Sequence, residues 1–223
     1  MDVFHIEGPV RLSGSVRVNG SKNAALPIMA AAILAPGKTV LKSVPRLSDI
    51  SVCAELLGQL GCKVRREDNG EISIDSTVID NPVGEYDIVR KMRASICILG
   101  PLLARCGRAE VSMPGGCAIG DRPVNLHLRG LEALGAQIHL KNGYIIAEAP
   151  NGLRGGDIFL GGPFGSTVLG TANVLMAATL ARGRTVIESA ACEPEIADLA
   201  NCLNKMGAKI GGIGSPRLTI EGV

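Results

Sequence analysis

One thiol in this sequence stands apart from the rest. Cys117 lies in M-P-G-G-C-A-I-G-D-R-P-V-N-L-H, residues 113–127, between glycines at 115, 116 and 120. Those glycines open backbone conformations closed to other residues. Arg122 follows five positions later, and Pro123 fixes the chain behind it. A polar, glycine-flexed loop is a poor place for a core filler. A nearby guanidinium favours the thiolate and offers a fork of donors for a phosphate or carboxylate. The other cysteines read differently. Cys53, Cys62, Cys97, Cys106 and Cys202 fall in apolar helices or at their ends, where cysteine acts as a small hydrophobe. Only Cys192, in A-A-C-E-P-E, shares a loop setting. Seven cysteines, odd in number and without a C-x-x-C, fit reduced cytosolic thiols rather than a disulfide framework or a zinc site. No metal cluster, Ser/His/Asp set or G-x-G-x-x-G is legible, and His127 falls inside a helix pattern and reads as structural.

The elements that must carry this loop repeat three times. Q-L-G-C-K-V, A-L-G-A-Q-I and K-M-G-A-K-I align on Gly61, Gly135 and Gly207. Earlier in each unit A-P-G-K-T-V-L, R-C-G-R-A-E-V and A-R-G-R-T-V-I align on Gly37, Gly107 and Gly183. Two landmarks in step three times identify an internal repeat, with units at about 22–77, 90–150 and 164–223. Each unit opens with an apolar helix: Ala24–Ala35, Ala94–Arg105 or Leu169–Ala181. A C-cap glycine ends it. A short strand follows, at Thr39–Lys42, Ala109–Met113 or Thr185–Glu188. After a loop comes an amphipathic helix, Leu47–Leu60, Val124–Leu134 or Glu195–Met206, and a strand pair closes the unit, within Cys62–Ile74, Gln137–Ala147 or Lys209–Glu221. The first helices have little polar face, so they are expected to be buried on all sides, with the strands outside. Residues 1–21 precede the first unit and read as a strand pair, Phe4–Ile6 and Arg11–Val18.

Composition narrows the class. A chain of 223 residues that is 46% hydrophobic and 20% charged can build a core. With aromatics at 2%, that core must come from Ala, Leu, Ile and Val. A net charge of +2 without a basic, aromatic-interleaved stripe argues against a nucleic-acid partner. The longest apolar run, Ala24–Pro36, is too short to span a bilayer. The first residues lack a basic and apolar leader, so a cytoplasmic protein is expected.

Pseudo-threefold packing would gather the starts of the three first helices at one end. Lys22 and Asn23, Arg93, and Ser166 and Thr167 stand there. Helix N-termini carry unpaired N–H groups and partial positive charge, so three such ends with a Lys and an Arg suit an anion. The plainer alternatives are a solvated lysine, an exposed first turn and ordinary N-caps. Arg122, likewise, could simply tether its loop to a carboxylate such as Asp121.

The segments G-S-K-N-A-A-L-P, M-R-A-S, P-G-G-C-A-I-G-D-R-P and E-P-E-I-A-D resemble the UDP-N-acetylglucosamine 1-carboxyvinyltransferases, and the likeness runs from about Ile6 to Val223. The 5-enolpyruvylshikimate-3-phosphate synthases share the fold but lack the cysteine loop. The resemblance implies an α/β fold, one lobe of an inside-out α/β barrel made of three βαβαββ units. It implies transfer of enolpyruvyl from phosphoenolpyruvate to the 3-hydroxyl of UDP-N-acetylglucosamine, an early step in peptidoglycan synthesis, with no cofactor or metal. It also implies roles. Cys117 would protonate C3 of phosphoenolpyruvate, form an adduct with it, and be the thiol that fosfomycin alkylates. Lys22, Asn23 and Arg122 would hold phosphoenolpyruvate. Asn23, Arg93, Arg122, Pro123, Val124, Asn125 and Leu126 would hold the sugar nucleotide, with Ser166, Thr167 and Val168 at its diphosphate. Three departures stand out. Asn125 replaces a common Asp, Ser48 replaces a frequent basic residue, and the loop before Ser166 is longer than in many members. The chain also stops near the midpoint of the family's length. Residues 1–21 would then belong to a second lobe, which carries the sugar-hydroxyl base and further arginines, and this chain alone would be inactive. A shikimate-specific enolpyruvyl transferase and a non-catalytic nucleotide-sugar-binding half are the alternatives.

Overall fold

The computed structural model describes residues 3–114, 123–163 and 165–223. Cys117 and Arg122 therefore lie outside the described residues. The first unit contains α1 (Lys22–Ala31), extended by a 3-10 turn at Ala32–Leu34, then β1 (Lys38–Leu41), α2 (Ser48–Gln59), β2 (Lys63–Arg66) and β3 (Ile72–Asp75). The second runs through β4 (Val83–Gly84), α3 (Tyr86–Val89), a 3-10 turn at Arg93–Ile98, α4 (Leu99–Cys106), β5 (Arg108–Ser112), α5 (Asn125–Ala133), β6 (Gln137–Lys141) and β7 (Tyr144–Glu148). The third has β8 (Asp157–Phe159), α6 (Val168–Ala178), β9 (Arg184–Glu188), α7 (Pro194–Lys205), β10 (Lys209–Gly211) and β11 (Arg217–Glu221).

Each unit folds its strands into its own sheet: β1-β3-β2, β4-β5-β7-β6 and β8-β9-β11-β10. The closing hairpins pair antiparallel, while β4 and β8 lie parallel to β5 and β9. The leading strands β4 and β8 are absent from the sequence reading. Runs of two and three residues are too short to show an alternating pattern.

The landmark glycines have a common cause. All six adopt positive φ, from 71° to 126°. After the second helix of each unit they build the same Schellman motif. Gly61, Gly135 and Gly207 donate to the carbonyls of Gly58, Glu132 and Asn204, and the next residues donate to Leu57, Leu131 and Leu203. At the earlier landmark only Gly107 is a left-handed helix cap. Gly37 and Gly183 instead lie in turns just before β1 and β9, because the helices ahead of them end sooner than their apolar runs.

The helices form the inside of the molecule. Every residue of α6 from Gly170 to Ala178 is buried. α6 packs against α1, α4 and α5, and α7 returns to pack on α1, so the three units close a ring around the first helices. Two glycines allow the close crossings. A Cβ on Gly100 would strike the backbone oxygen of Asn173, and one on Gly130 would strike the side chain of Val174. The expected three-unit lobe with helices inside and sheets outside is what forms.

One expectation is corrected. Residues 3–20 contain no strand, so the pair Phe4–Ile6 and Arg11–Val18 is not formed. Phe4, Ile6, Leu12 and Val16 are exposed. Alternating apolar residues hold a strand only where a sheet or core covers them, and nothing in this lobe covers these.

Candidate active site

Two of the three first-helix starts, together with the start of α5, enclose a cavity of about 460 Å³. Arg93 lines it from the second unit, and Ser166, Thr167 and Val168 line it from the third. Pro123, Asn125 and Leu126 form another wall, and the sequence reading names all seven of these residues. His127, Gly162, Pro163, Gly165 and Leu169 complete the lining and are new. Val124 is buried just behind this wall. Lys22 and Asn23 do not line the cavity. Lys22 Nζ instead donates to Asp49 Oδ2 at 2.7 Å, an ion pair across the starts of α1 and α2. The threefold gathering of helix starts is thus two-thirds realised in this cavity.

The local chemistry of each helix start differs. Ser21 caps α1 by accepting from the Ala24 N–H, and Thr167 caps α6 by accepting from the Gly170 N–H. The N-cap reading of Thr167 holds, and it leaves the first amides of α6 at the cavity wall. Before α6 the chain folds back on itself, with Gly162 and Gly165 exchanging N–H to carbonyl bonds of 2.9 and 3.0 Å. The second unit starts as a 3-10 turn, and Leu99 N–H therefore donates to the Ile96 carbonyl. In a regular α-helix Gly100 N–H would take that carbonyl. Asn173, inside α6, takes it instead: its Oδ1 accepts from Gly100 N–H at 2.6 Å, and its Nδ2 donates to the Ile96 carbonyl at 2.7 Å. An asparagine of the third unit so caps the helix whose leading turn presents Arg93.

The same amide stands 3.0 Å from His127 Nδ1. With both Asn173 oxygen and nitrogen committed as above, Nδ1 is the acceptor and the imidazole proton rests on Nε2. Burial, and secondarily the Arg93 charge, push the His127 pKa down to about 4. His127 is therefore neutral at neutral pH, and its structural reading stands. The signal for Asn173 is present in the sequence: an amide in the middle of V-L-G-T-A-N-V-L-M-A-A needs a buried partner.

Among the described residues the cavity lining offers a guanidinium, hydroxyls, an amide, an imidazole and a helix N-terminus, and no carboxylate. Leu126 and the two prolines supply apolar walls. The arrangement suits an anion at the α6 terminus joined to a flat, partly apolar group. Five of the six described thiols, all but Cys192, are poor nucleophiles. Burial raises the pKa of Cys53 and Cys97 to about 12 and of Cys62 to about 11, and raises Cys106 and Cys202 as well. Among the described residues no cluster could hold a metal ion, and no helix is long and apolar enough to cross a membrane.

Comparison with known proteins adds three findings. The family model described as EPSP synthase (3-phosphoshikimate 1-carboxyvinyltransferase) matches residues 6–223. Proteins named UDP-N-acetylglucosamine 1-carboxyvinyltransferase match the whole chain, at 54% identity in Methylacidiphilum infernorum and 50% in Akkermansia muciniphila. The chain spans about half of each of them, 52% in both. Among solved structures, the enolpyruvyl transferase NikO from Streptomyces tendae superposes with a TM-score of 0.82 at 20% identity, covering 96% of this chain and 49% of that one. An EPSP synthase from Acinetobacter baumannii superposes at 0.73 and 19% identity, over 94% of this chain and 47% of that one. At such identities the two structures speak for the fold alone.

Proposed function

The chain belongs to the EPSP synthase family, and from that premise we propose that it is the amino-terminal lobe of an enzyme that moves enolpyruvyl from phosphoenolpyruvate to the 3-hydroxyl of UDP-N-acetylglucosamine. The observation that carries this reading is the identity of 50–54% to proteins of that name over every residue of the chain. The cavity supports it, with Arg93 and the α6 amides facing one space and no carboxylate among its described lining residues. In this reading the diphosphate lies at Ser166–Val168, and the uracil lies along Pro123–Leu126.

The chemistry sets the remaining roles. The sugar oxygen bonds to C2 of phosphoenolpyruvate while Cys117 delivers a proton to C3, giving a tetrahedral adduct. Loss of a C3 proton then expels phosphate and restores the double bond. Positive charge develops at C2 beside the substrate's carboxylate and phosphate, which Lys22 and Arg122 hold in place. Lys22 leaves Asp49 to do so, a modest cost because both side chains are partly exposed. The hydroxyl's base and further arginines come from the second lobe, so this chain alone is inactive. A cytoplasmic setting and alkylation of Cys117 by fosfomycin belong to the same proposal.

The test is phosphate release. A chimera of residues 1–223 with the second half of the Methylacidiphilum infernorum relative should release phosphate only when given both phosphoenolpyruvate and UDP-N-acetylglucosamine. Replacing Cys117 with Ser in it should remove most of the activity, and the 223-residue chain should show none. A folded chimera that works on shikimate 3-phosphate instead would overturn the substrate assignment.

A further inference from the structure

Two walls of the cavity belong to different segments. One is the start of α5, with Pro123, Asn125 and Leu126, and the other is the turn of Gly162, Pro163 and Gly165 that leads into α6. The flanks of that turn are well held. Ile158 and Leu160 are buried beside β9, and α6 is buried from Gly170 onward. The middle has glycines at 161, 162 and 165, and glycine leaves a chain freer than other residues do. The bonds between Gly162 and Gly165 close the turn on itself but do not fix where it stands. A turn that shifts carries Ser166 and Thr167 with it.

Arg129 supplies the missing tie. It lies one helical turn beyond Asn125 on α5, so the two share a side of the helix. Its Nη2 donates to the Phe159 carbonyl and to the Gly161 carbonyl, both at 2.7 Å. Its Cζ stands 6.0 Å from the centre of the Phe159 ring. That ring lies over Gly161, where a Cβ would strike it. Among the described residues, these are the hydrogen bonds that run from α5 to the turn. On the cavity side of the same contact, a Cβ on Gly162 would come within 3.1 Å of Leu126 Cδ1. Helix α5 is itself seated on α6, with Gly130 against Val174. The guanidinium therefore closes a circuit of contacts from α5 to the turn, from the turn to α6, and from α6 back to α5. Arg129 does not line the cavity.

A plainer role is edge protection. β8 is the outer strand of its sheet, and a charged side chain over its carbonyls keeps other strands from adding there. The bond to Phe159 fits that role. The bond to Gly161 is not needed for it, because Gly161 lies beyond the strand, at the root of the turn.

We propose that Arg129 is a positioning residue for the anion site: by gripping Phe159 and Gly161 it sets the separation of the α5 wall from the first amides of α6, and with it the affinity for the sugar nucleotide. The ligand named here rests on the function proposed above, whereas the grip on the turn does not.

Arg129→Met tests it, since methionine keeps an aliphatic stem and removes both bonds. In calorimetric titrations of the 223-residue chain, the variant should bind UDP-N-acetylglucosamine on the order of tenfold more weakly than the parent, because the ligand must then order the turn. The ratio should be the same at about 0.05 M and about 0.5 M salt, where the attraction of a remote cation would be screened away. Without ligand, the Gly162 and Gly165 amides should exchange faster in the variant, while buried Leu175 of α6 exchanges alike in both and reports an intact fold. Equal affinity in parent and variant would overturn the inference. So would a difference that vanishes at the higher salt, or turn amides that exchange at the parent's rate. A parent chain that binds no UDP-N-acetylglucosamine would instead overturn the substrate reading, and the turn amides would still decide the grip.

Discussion

Asn173→Ala removes the side chain that ties α6 of the third unit to the 3-10 turn, α4 and α5 of the second. Gly100 N–H and His127 Nδ1 lose their only side-chain partner described above, while the Ile96 carbonyl keeps the Leu99 N–H. Two buried polar groups left unpaired cost about 1–3 kcal/mol each, and the missing amide leaves a small cavity. The sum is about 4 kcal/mol, which for a domain of this size lowers Tm by roughly 8–16 °C. Calorimetry measures it. Asn173→Asp probes the same site through pH. In the parent chain His127 has a pKa of about 4 folded, against 6.5 in the unfolded state. The unfolded state therefore binds more protons between those values. The contribution is fully present above pH 6.5 and is lost as pH falls toward 4, up to about 3 kcal/mol in all. A carboxylate beside Nδ1 favours the imidazolium, so in the Asp variant this rise with pH should flatten or reverse. An Asn173→Ala cost below about 1 kcal/mol, or an Asp variant with the parent's pH profile, would refute the capping argument.

Three further outcomes follow from the same geometry. Gly100→Ala should destabilise by about 1–3 kcal/mol in denaturant titration, because its Cβ meets the backbone of Asn173 rather than a movable side chain. Thr167→Val should cost about 1 kcal/mol of stability through the lost α6 cap, and should weaken UDP-N-acetylglucosamine binding. In native protein a thiol reagent should spare Cys53 and Cys97, whose thiols are buried and held protonated, and should label exposed Cys192, as read by peptide mass spectrometry.

Much of the lobe is legible in the sequence because its repeat rests on backbone geometry. Gly61, Gly135 and Gly207 mark helix ends that only a left-handed residue can make, so the same letter returns at the same place. The amphipathic helices and closing hairpins follow from period alone. The leading strands β4 and β8 escape notice because parallel pairing and a neighbouring helix hold them, not their own pattern. The terminal strand pair fails for the converse reason: Phe4 and Ile6, like Val16 and Val18, alternate as a strand should, but no surface among the described residues covers them. At the site, Arg93, Asn125, Leu126 and Ser166–Val168 converge as the repeat and the family resemblance lead one to expect. The role of Asn173 is hidden because it depends on a 3-10 turn in a different unit. The pairing of Lys22 with Asp49 is hidden for a similar reason, since side chains 27 residues apart meet only once α1 and α2 pack against each other.

The most direct test of the account is a titration of the 223-residue chain with UDP-N-acetylglucosamine, followed by amide chemical shifts. The account predicts saturable shifts at Arg93, Asn125–Leu126 and Ser166–Val168, lost in Arg93→Ala. Saturable binding that moves other residues and leaves these in place would contradict it, as would the absence of any binding by a chain shown to be folded.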